Sequence, residues 1–137
     1  MKLIKHLLKA KTLLLFAVLY TAILTYGSLA NSQDLPSVSL KTSDKALHFI
    51  GYFVFFMCWF FYLFIRNKTT LKSIFLKIFI AGTLFGIIIE ILQTVVTTSR
   101  QADIYDIIAN CFGLFIAALL LYVFRKKLIL LKTNFSL

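Results

Sequence analysis

Four long apolar stretches, separated by polar connections, dominate the hydrophobic pattern of the chain. They occupy residues 12–30, 46–65, 76–98 and 104–124. Each is close to the roughly 20 residues that an α-helix needs to cross the hydrocarbon core of a bilayer. Because a helix satisfies its own backbone hydrogen bonds in lipid, the pattern predicts an all-α fold. The expected architecture is a polytopic bundle of four transmembrane helices, with residues 1–137 forming a single membrane domain.

Composition and charge distribution agree with this interpretation. Hydrophobic residues make up 61% of the chain and the mean hydropathy is +0.92, whereas apolar residues are about half of a typical soluble domain. The net charge of +10 could suggest nucleic acid, but twelve of the fifteen Lys and Arg residues precede the first span, follow the fourth, or lie between the second span and the first residues of the third. The positive-inside rule then places both termini in the cytoplasm. Membrane lipids are the expected partners, and nucleic acid is not.

The first apolar stretch has an alternative interpretation as a cleaved secretory signal. Residues 1–11 are rich in lysine, and "GSLA" at residues 27–30 is similar to a signal cleavage site. However, the stretch is longer than the 7 to 15 residues of a usual signal core. Retention of this span is therefore predicted, and its removal stays open.

Polar side chains enter the other three spans from one side, the side that the topology places outside. The set comprises Asp44, Lys45 and His48 around the start of the second span, Glu90 and Gln93 in the third, and Arg100, Asp103, Asp106 and Asn110 around the start of the fourth. Residues three or four apart share one face of a helix. Ionisable groups inside spans are costly and normally face the bundle interior or a wet cavity. The pattern predicts an outward-facing polar pocket that the three helices share.

Several of these residues also have a purely structural interpretation. Asp44 and Asp103 are residue types that favour helix N-caps, and Lys45 could extend to the membrane interface. Asn110 could join two helices by an ordinary hydrogen bond. Glu90 is the hardest to explain in this way, because a carboxylate in a long apolar stretch needs a partner or a proton.

The candidate chemistry is limited to acid–base catalysis. His48 and Glu90 could form an acid–base pair, although no activated serine or cysteine accompanies them. No recognised metal-ligand spacing such as H-E-x-x-H occurs, so no metal and no cofactor are expected, and metal assistance through an aspartate near the fourth span is a minor alternative. Cys58 and Cys111 are expected to be small apolar fillers, and a disulfide between them stays open.

Three segments together resemble the signature blocks of the VanZ-like membrane proteins: "DKALHFIGYF", "EILQ" and "SRQADIYDIIANCFGLFIA". The resemblance implies a single VanZ-like domain in a multi-pass protein of the bacterial inner membrane. The family is named for a factor that lowers susceptibility to the glycopeptide teicoplanin, and it has no agreed biochemical activity. The family's motif residues fall here on Asp44, Lys45, His48, Glu90, Gln93, Arg100, Asp103, Asp106, Asn110 and Gly113.

Three functional hypotheses from different classes follow. In the first, the pocket binds or handles an anionic amphiphile, such as a lipid headgroup, a lipid-linked cell-wall precursor or teicoplanin, with Lys45 and Arg100 contacting phosphate or carboxylate. In the second, the protein is a membrane enzyme that acts on a lipid-linked headgroup through His48 and Glu90. In the third, it is a structural subunit whose polar side chains only join helices to one another. The oligomeric state is not predicted.

Overall fold

The computed structural model describes residues 9–30, 44–66, 69–97 and 102–134, and these residues are almost entirely helical. The helices are α1 (Ala10–Leu29), α2 (Asp44–Arg66), α3 (Leu71–Val96), α4 (Ile104–Val123) and α5 (Arg125–Asn134). The first four are long and apolar enough to cross a membrane. The predicted all-α fold with four membrane-spanning helices is confirmed. The short α5 lies beyond the four predicted spans.

Polar caps define where α3 and α4 begin. The Thr70 hydroxyl accepts a hydrogen bond from the Ser73 amide at the start of α3. At the start of α4, the Asp103 carboxylate accepts one from the Tyr105 amide at 2.9 Å. Side-chain oxygens at these positions satisfy amides that have no partner within the helix. The structural interpretation of Asp103 as an N-cap is therefore confirmed.

The four long helices run alternately up and down. Each end of the bundle therefore contains the first residues of two helices and the last residues of the other two. Gln93 near the end of α3 donates to the Ser28 carbonyl near the end of α1 at 2.8 Å. At the same end, Lys45 of α2 contacts Asp103 at the start of α4. We call this the acidic end. At the opposite, basic end, Lys132 of α5 donates to the Phe64 carbonyl of α2.

Helix α2 lies at the centre of the bundle and makes its most extensive contact with α4. Its aromatic residues Tyr52, Phe56 and Phe60 are completely buried. The exterior is apolar as well: Ile91 and Val95, for example, are exposed on α3 although Glu90 and Gln93 on the same helix are buried. Polar groups inside and apolar groups outside are the arrangement expected of a protein surrounded by lipid.

Glycines permit the close approach of the central helices. A Cβ atom added to Gly113 of α4 would lie 2.3 Å from the Phe49 carbonyl oxygen of α2, so the two backbones are in direct contact there. Gly82 faces the Leu114 side chain, and Gly86 faces Asn110 at the floor of the acidic end. Small residues have this role in many membrane helix pairs. The α2–α4 contact at Gly113 is the tightest of these.

Candidate functional site

The acidic end holds a group of polar side chains that we call the polar cluster: Asp44, Lys45, His48, Glu90, Gln93, Asp103, Asp106 and Asn110. These are the predicted site residues except Arg100, which lies outside the described residues. Glu90 lies six residues before the end of α3, which places it about 9 Å below that end at about 1.5 Å per residue. Four of the chain's five Asp and Glu residues belong to the cluster.

His48 lies at the centre of the polar cluster and is 6% exposed. Its Nδ1 is 3.1 Å from the Asn110 side-chain oxygen and 3.6 Å from Glu90 Oε1. Its Nε2 is 3.8 Å from Asp106 Oδ2. The convergence of His48, Glu90 and Asp106 that the helical spacing predicted is therefore confirmed.

Lys45 joins the starts of α2 and α4. Its ammonium group is 2.8 Å from Asp103 Oδ2 and 3.3 Å from Asp106 Oδ1, and it lies near the Tyr105 ring. The hydrogen bond from Lys45, together with the Tyr105 amide, holds the pKa of Asp103 below its usual value. A carboxyl whose pKa is lowered on folding stabilises the fold above its ordinary pKa of about 3.9 and loses that contribution as the pH falls through the lowered value. The contact between Lys45 and Asp103 is therefore intact at neutral pH.

Helix α1 contributes to this region, which the sequence analysis did not foresee. The Ser28 carbonyl accepts from Gln93, and the Tyr20 hydroxyl donates to the Gly51 carbonyl at 2.9 Å. The signal available in the sequence was weak: Tyr20, Leu24 and Ser28 recur every four residues and so share one face of α1.

A cavity of about 310 Å³ lies between α1 and α2 and extends to the polar cluster. We call it the α1–α2 cavity. Its wall includes apolar residues of both helices, and its polar lining includes Tyr20, Ser28, Asp44 and His48. Glu90 and Asp106 are buried behind His48 and are not part of this lining. The expected pocket was shared by α2, α3 and α4, whereas the observed cavity lies between α1 and α2. The polar side chains of α3 and α4 pack directly onto His48, so the open space lies on the α1 side.

Three buried polar atoms near the cluster have no hydrogen-bond partner among the described residues: Tyr52 Oη, Glu90 Oε1 and Asn110 Nδ2. Buried polar atoms in native proteins are rarely unpaired. Glu90 is 1% exposed, so its free oxygen cannot be satisfied by bulk water.

The cluster also contains a set of side chains whose spacing suits a metal ion. One potential ligand atom each from Asp44, His48 and Asp106 lies within 4.8 Å of the other two. The sequence analysis expected no metal because these residues do not follow a known linear spacing. Cys58 and Cys111, by contrast, are both free thiols and do not form the disulfide that the sequence left open.

Comparison with known proteins finds a family model that matches this chain. The family model described as VanZ/LLP1 matches residues 5–125. Among curated proteins, an uncharacterised protein of Schizosaccharomyces pombe is 29% identical over 92 residues, which cover 67% of this chain and 54% of that protein. The chain therefore spans about half the length of this relative. No solved structure matches.

Proposed function

The chain belongs to the VanZ-like family of membrane proteins, and on that premise we propose that it binds an amphiphile with an anionic headgroup in the α1–α2 cavity. The candidates are a phospholipid, a lipid-linked cell-wall precursor or, by analogy with the family's name, a glycopeptide such as teicoplanin. The protein would be a multi-pass component of the bacterial inner membrane, with both termini in the cytoplasm and the acidic end facing outward.

One observation carries this proposal: the α1–α2 cavity joins an apolar wall to a polar end that holds the buried His48 and the exposed carboxylate of Asp44. Ile23, Leu24 and Leu47 line it with hydrocarbon, whereas His48 and Asp44 line it with polar atoms. Ligand sites are typically apolar clefts of about 300–1,000 Å³ with a few placed polar groups. At about 310 Å³ the cavity suits a headgroup and the adjoining part of a chain, with the remaining hydrocarbon outside in lipid.

The residues behind His48 hold it in place for such a ligand. The imidazole lies between oxygens of Asn110 and Glu90 on its Nδ1 side and Asp106 on its Nε2 side. A ring held on both sides presents a fixed edge to the cavity, and preorganised contacts reduce the entropic cost of binding. Lys45, which follows Asp44 at the start of α2 and is 47% exposed, would exchange part of its contact with Asp103 for the anionic group. Arg100 would supply the second cation.

Filling the cavity tests the proposal without altering the polar cluster. Gly27 lines the cavity, and a Cβ atom there would have nothing within 4 Å. We expect Gly27→Phe to lower the amphiphile that remains bound in native mass spectrometry at least about fivefold, with an unchanged Tm. The matched control, Gly27→Ala, should retain amphiphile like the unchanged protein. Equal retention in Gly27→Phe and Gly27→Ala would contradict the proposal.

A second candidate function, a membrane enzyme, is favoured by the His48–Glu90 pair. The two groups are buried and 3.6 Å apart, a separation from which a carboxylate can orient an imidazole for proton transfer. In this case His48 would contact the substrate and Glu90 would position it. Conversion of the bound amphiphile during incubation, visible as a mass change that His48→Ala prevents, would favour the enzyme over the binding protein.

The proposed orientation rests on the distribution of basic residues and has its own test. Ala102 is exposed at the acidic end, just before α4. In a variant with Cys58 and Cys111 replaced by alanine, we expect Ala102→Cys to react in intact cells with a membrane-impermeant thiol reagent. A reporter fused after residue 137 should be active only in the cytoplasm. Labelling of Ala102→Cys only after lysis would reverse the assignment.

A further inference from the structure

Two carboxylates of the polar cluster, those of Glu90 and Asp106, face the same His48 ring from opposite sides. Lys45 also contacts Asp106, at 3.3 Å. Glu90 and Asp106 are buried, and burying an uncompensated carboxylate is costly. An additional positive charge near His48 would offset this cost.

The orientation of the His48 ring points to where that charge would bind. Its Nδ1 faces two acceptor oxygens, Asn110 Oδ1 at 3.1 Å and Glu90 Oε1 at 3.6 Å. With a hydrogen on Nδ1 directed at these oxygens, a neutral ring would have its lone pair on Nε2, the nitrogen that faces Asp106. The lone pair of Nε2 is then directed away from Glu90. Histidines that bind metals usually donate their other N–H to a carboxylate or carbonyl in this way.

Carboxylate oxygens of Asp106 and Asp44 lie close to the His48 ring. Asp106 uses Oδ1 for Lys45 at 3.3 Å, and its Oδ2 is 3.8 Å from His48 Nε2. Asp44 supplies a third ligand atom, and all three atoms lie within 4.8 Å of one another. Ligand atoms on one octahedral ion with bonds of about 2.1 Å lie about 3.0 Å apart when adjacent and about 4.2 Å apart when opposite, so the three side chains must move closer together by roughly 1 to 2 Å to close the site.

We infer that Asp44, His48 and Asp106 bind a divalent cation at the polar end of the α1–α2 cavity. One imidazole nitrogen and two carboxylates form a ligand set that suits Mn²⁺ or Zn²⁺. The unpaired, buried Glu90 oxygen beside His48 Nδ1 is the supporting carboxylate behind this set. Three protein ligands leave coordination positions open, and because Asp44 and His48 line the cavity, those positions face it.

The cation also accounts for how an acidic site would hold an anion, an extension that rests on the proposed function. A phosphate oxygen entering the α1–α2 cavity would bind the open coordination positions and bridge the ion to the amphiphile. The acids of the cluster would then bind the headgroup through the metal instead of repelling it.

Metal binding is measured on the full chain in nanodiscs of neutral lipid, stripped with a chelator and titrated with Mn²⁺ under electron paramagnetic resonance. We expect about one strongly bound Mn²⁺ per chain. Losing one ligand should weaken binding at least about tenfold in Asp106→Asn and in Asp44→Asn. Thr83→Val on α3, distant from the cluster, is the matched control and should bind normally.

Several results separate the cation site from the proposed function. Saturable Mn²⁺ binding that Asp106→Asn weakens, at an unchanged Tm, supports the site even if no amphiphile is retained, and in that case the proposed function fails. Amphiphile retention that persists in chelator, together with no specific Mn²⁺ binding, overturns the inference and leaves the proposed function intact. Equal Mn²⁺ binding by the unchanged protein, Asp44→Asn and Asp106→Asn would also overturn it.

Discussion

The Glu90→Gln variant is expected to fold normally in the membrane and to lose amphiphile retention at least about tenfold. Glutamine keeps the shape of the side chain but removes the charge that lies 3.6 Å from His48. Interhelical polar contacts in membranes average only about 0.6 kcal/mol, so the Tm should change little. A tenfold loss of binding corresponds to about 1.4 kcal/mol, and we expect an effect of at least this size because the substitution removes a buried charge that faces the His48 ring. The measurements are thermal stability in detergent and retained amphiphile by native mass spectrometry.

Two further variants, His48→Ala and Thr83→Val, serve as comparisons for Glu90→Gln. His48→Ala should lose retention as completely as Glu90→Gln, because both changes remove the fixed imidazole edge from the cavity. Thr83 lies on α3 seven residues before Glu90, on the same face, and its hydroxyl contacts Cys111. Thr83→Val should therefore behave as the unchanged protein in both measurements. Full retention in Glu90→Gln, or losses that only follow a lowered Tm, would favour the structural-subunit hypothesis instead.

The largest effect on stability is expected from Gly113→Ala. The added methyl group would lie 2.3 Å from the Phe49 carbonyl oxygen and 3.0 Å from the Phe53 amide nitrogen, both backbone atoms of α2. These atoms cannot move aside as a side chain can, so α2 and α4 must separate along their most extensive contact. Overpacking of this kind costs about 1–3 kcal/mol and can cost more. We expect a clearly lower Tm and aggregation during purification.

Gly27→Ala is the matched control for Gly113→Ala. Both glycines are helical, so both changes gain up to about 1 kcal/mol of helix propensity. A Cβ atom at Gly27 has nothing within 4 Å. Its stability should therefore be unchanged or slightly higher. A Tm for Gly113→Ala as high as that for Gly27→Ala would show that the two helices are less closely packed than described.

Much of the fold could be predicted because the bilayer restricts what a chain can do. Apolar stretches of about 20 residues indicate membrane-spanning helices. A carboxylate such as Glu90 in such a stretch must face inward, and helical spacing then identifies the neighbours that share its face. The convergence of His48, Glu90 and Asp106 follows from these two constraints alone.

The contribution of α1 could not be predicted by the same reasoning. This helix carries no charge along its apolar stretch, so nothing in its sequence required a particular face to turn inward. Its contact with Gln93 is made by the Ser28 backbone carbonyl, and every residue has a backbone carbonyl. The position of the cavity depends on how α1 packs on α2, which is a tertiary property.

The cation-binding set was missed for a related reason. Metal sites are recognised in sequences when their ligands follow a short regular spacing. Asp44 and His48 are four residues apart on α2, whereas Asp106 lies on α4. The close contact of α2 and α4 at Gly113 brings Asp106 near the other two. Helical spacing predicted that these residues would be neighbours. The ring orientation of His48, which distinguishes a ligand from a packed histidine, required atomic positions.

The central claim is that an amphiphile's headgroup binds beside His48 in the α1–α2 cavity. A phospholipid with a photoreactive group on its headgroup, incorporated into nanodiscs with the full chain, tests this most directly when the labelled residues are mapped by mass spectrometry. We predict labelling concentrated at the polar end of the cavity, on Ser28, Asp44 and His48, with strong reduction in Gly27→Phe. Labelling spread evenly over lipid-facing residues such as Ile91, Val95 and Ile108, and unaffected by Gly27→Phe, would contradict the account.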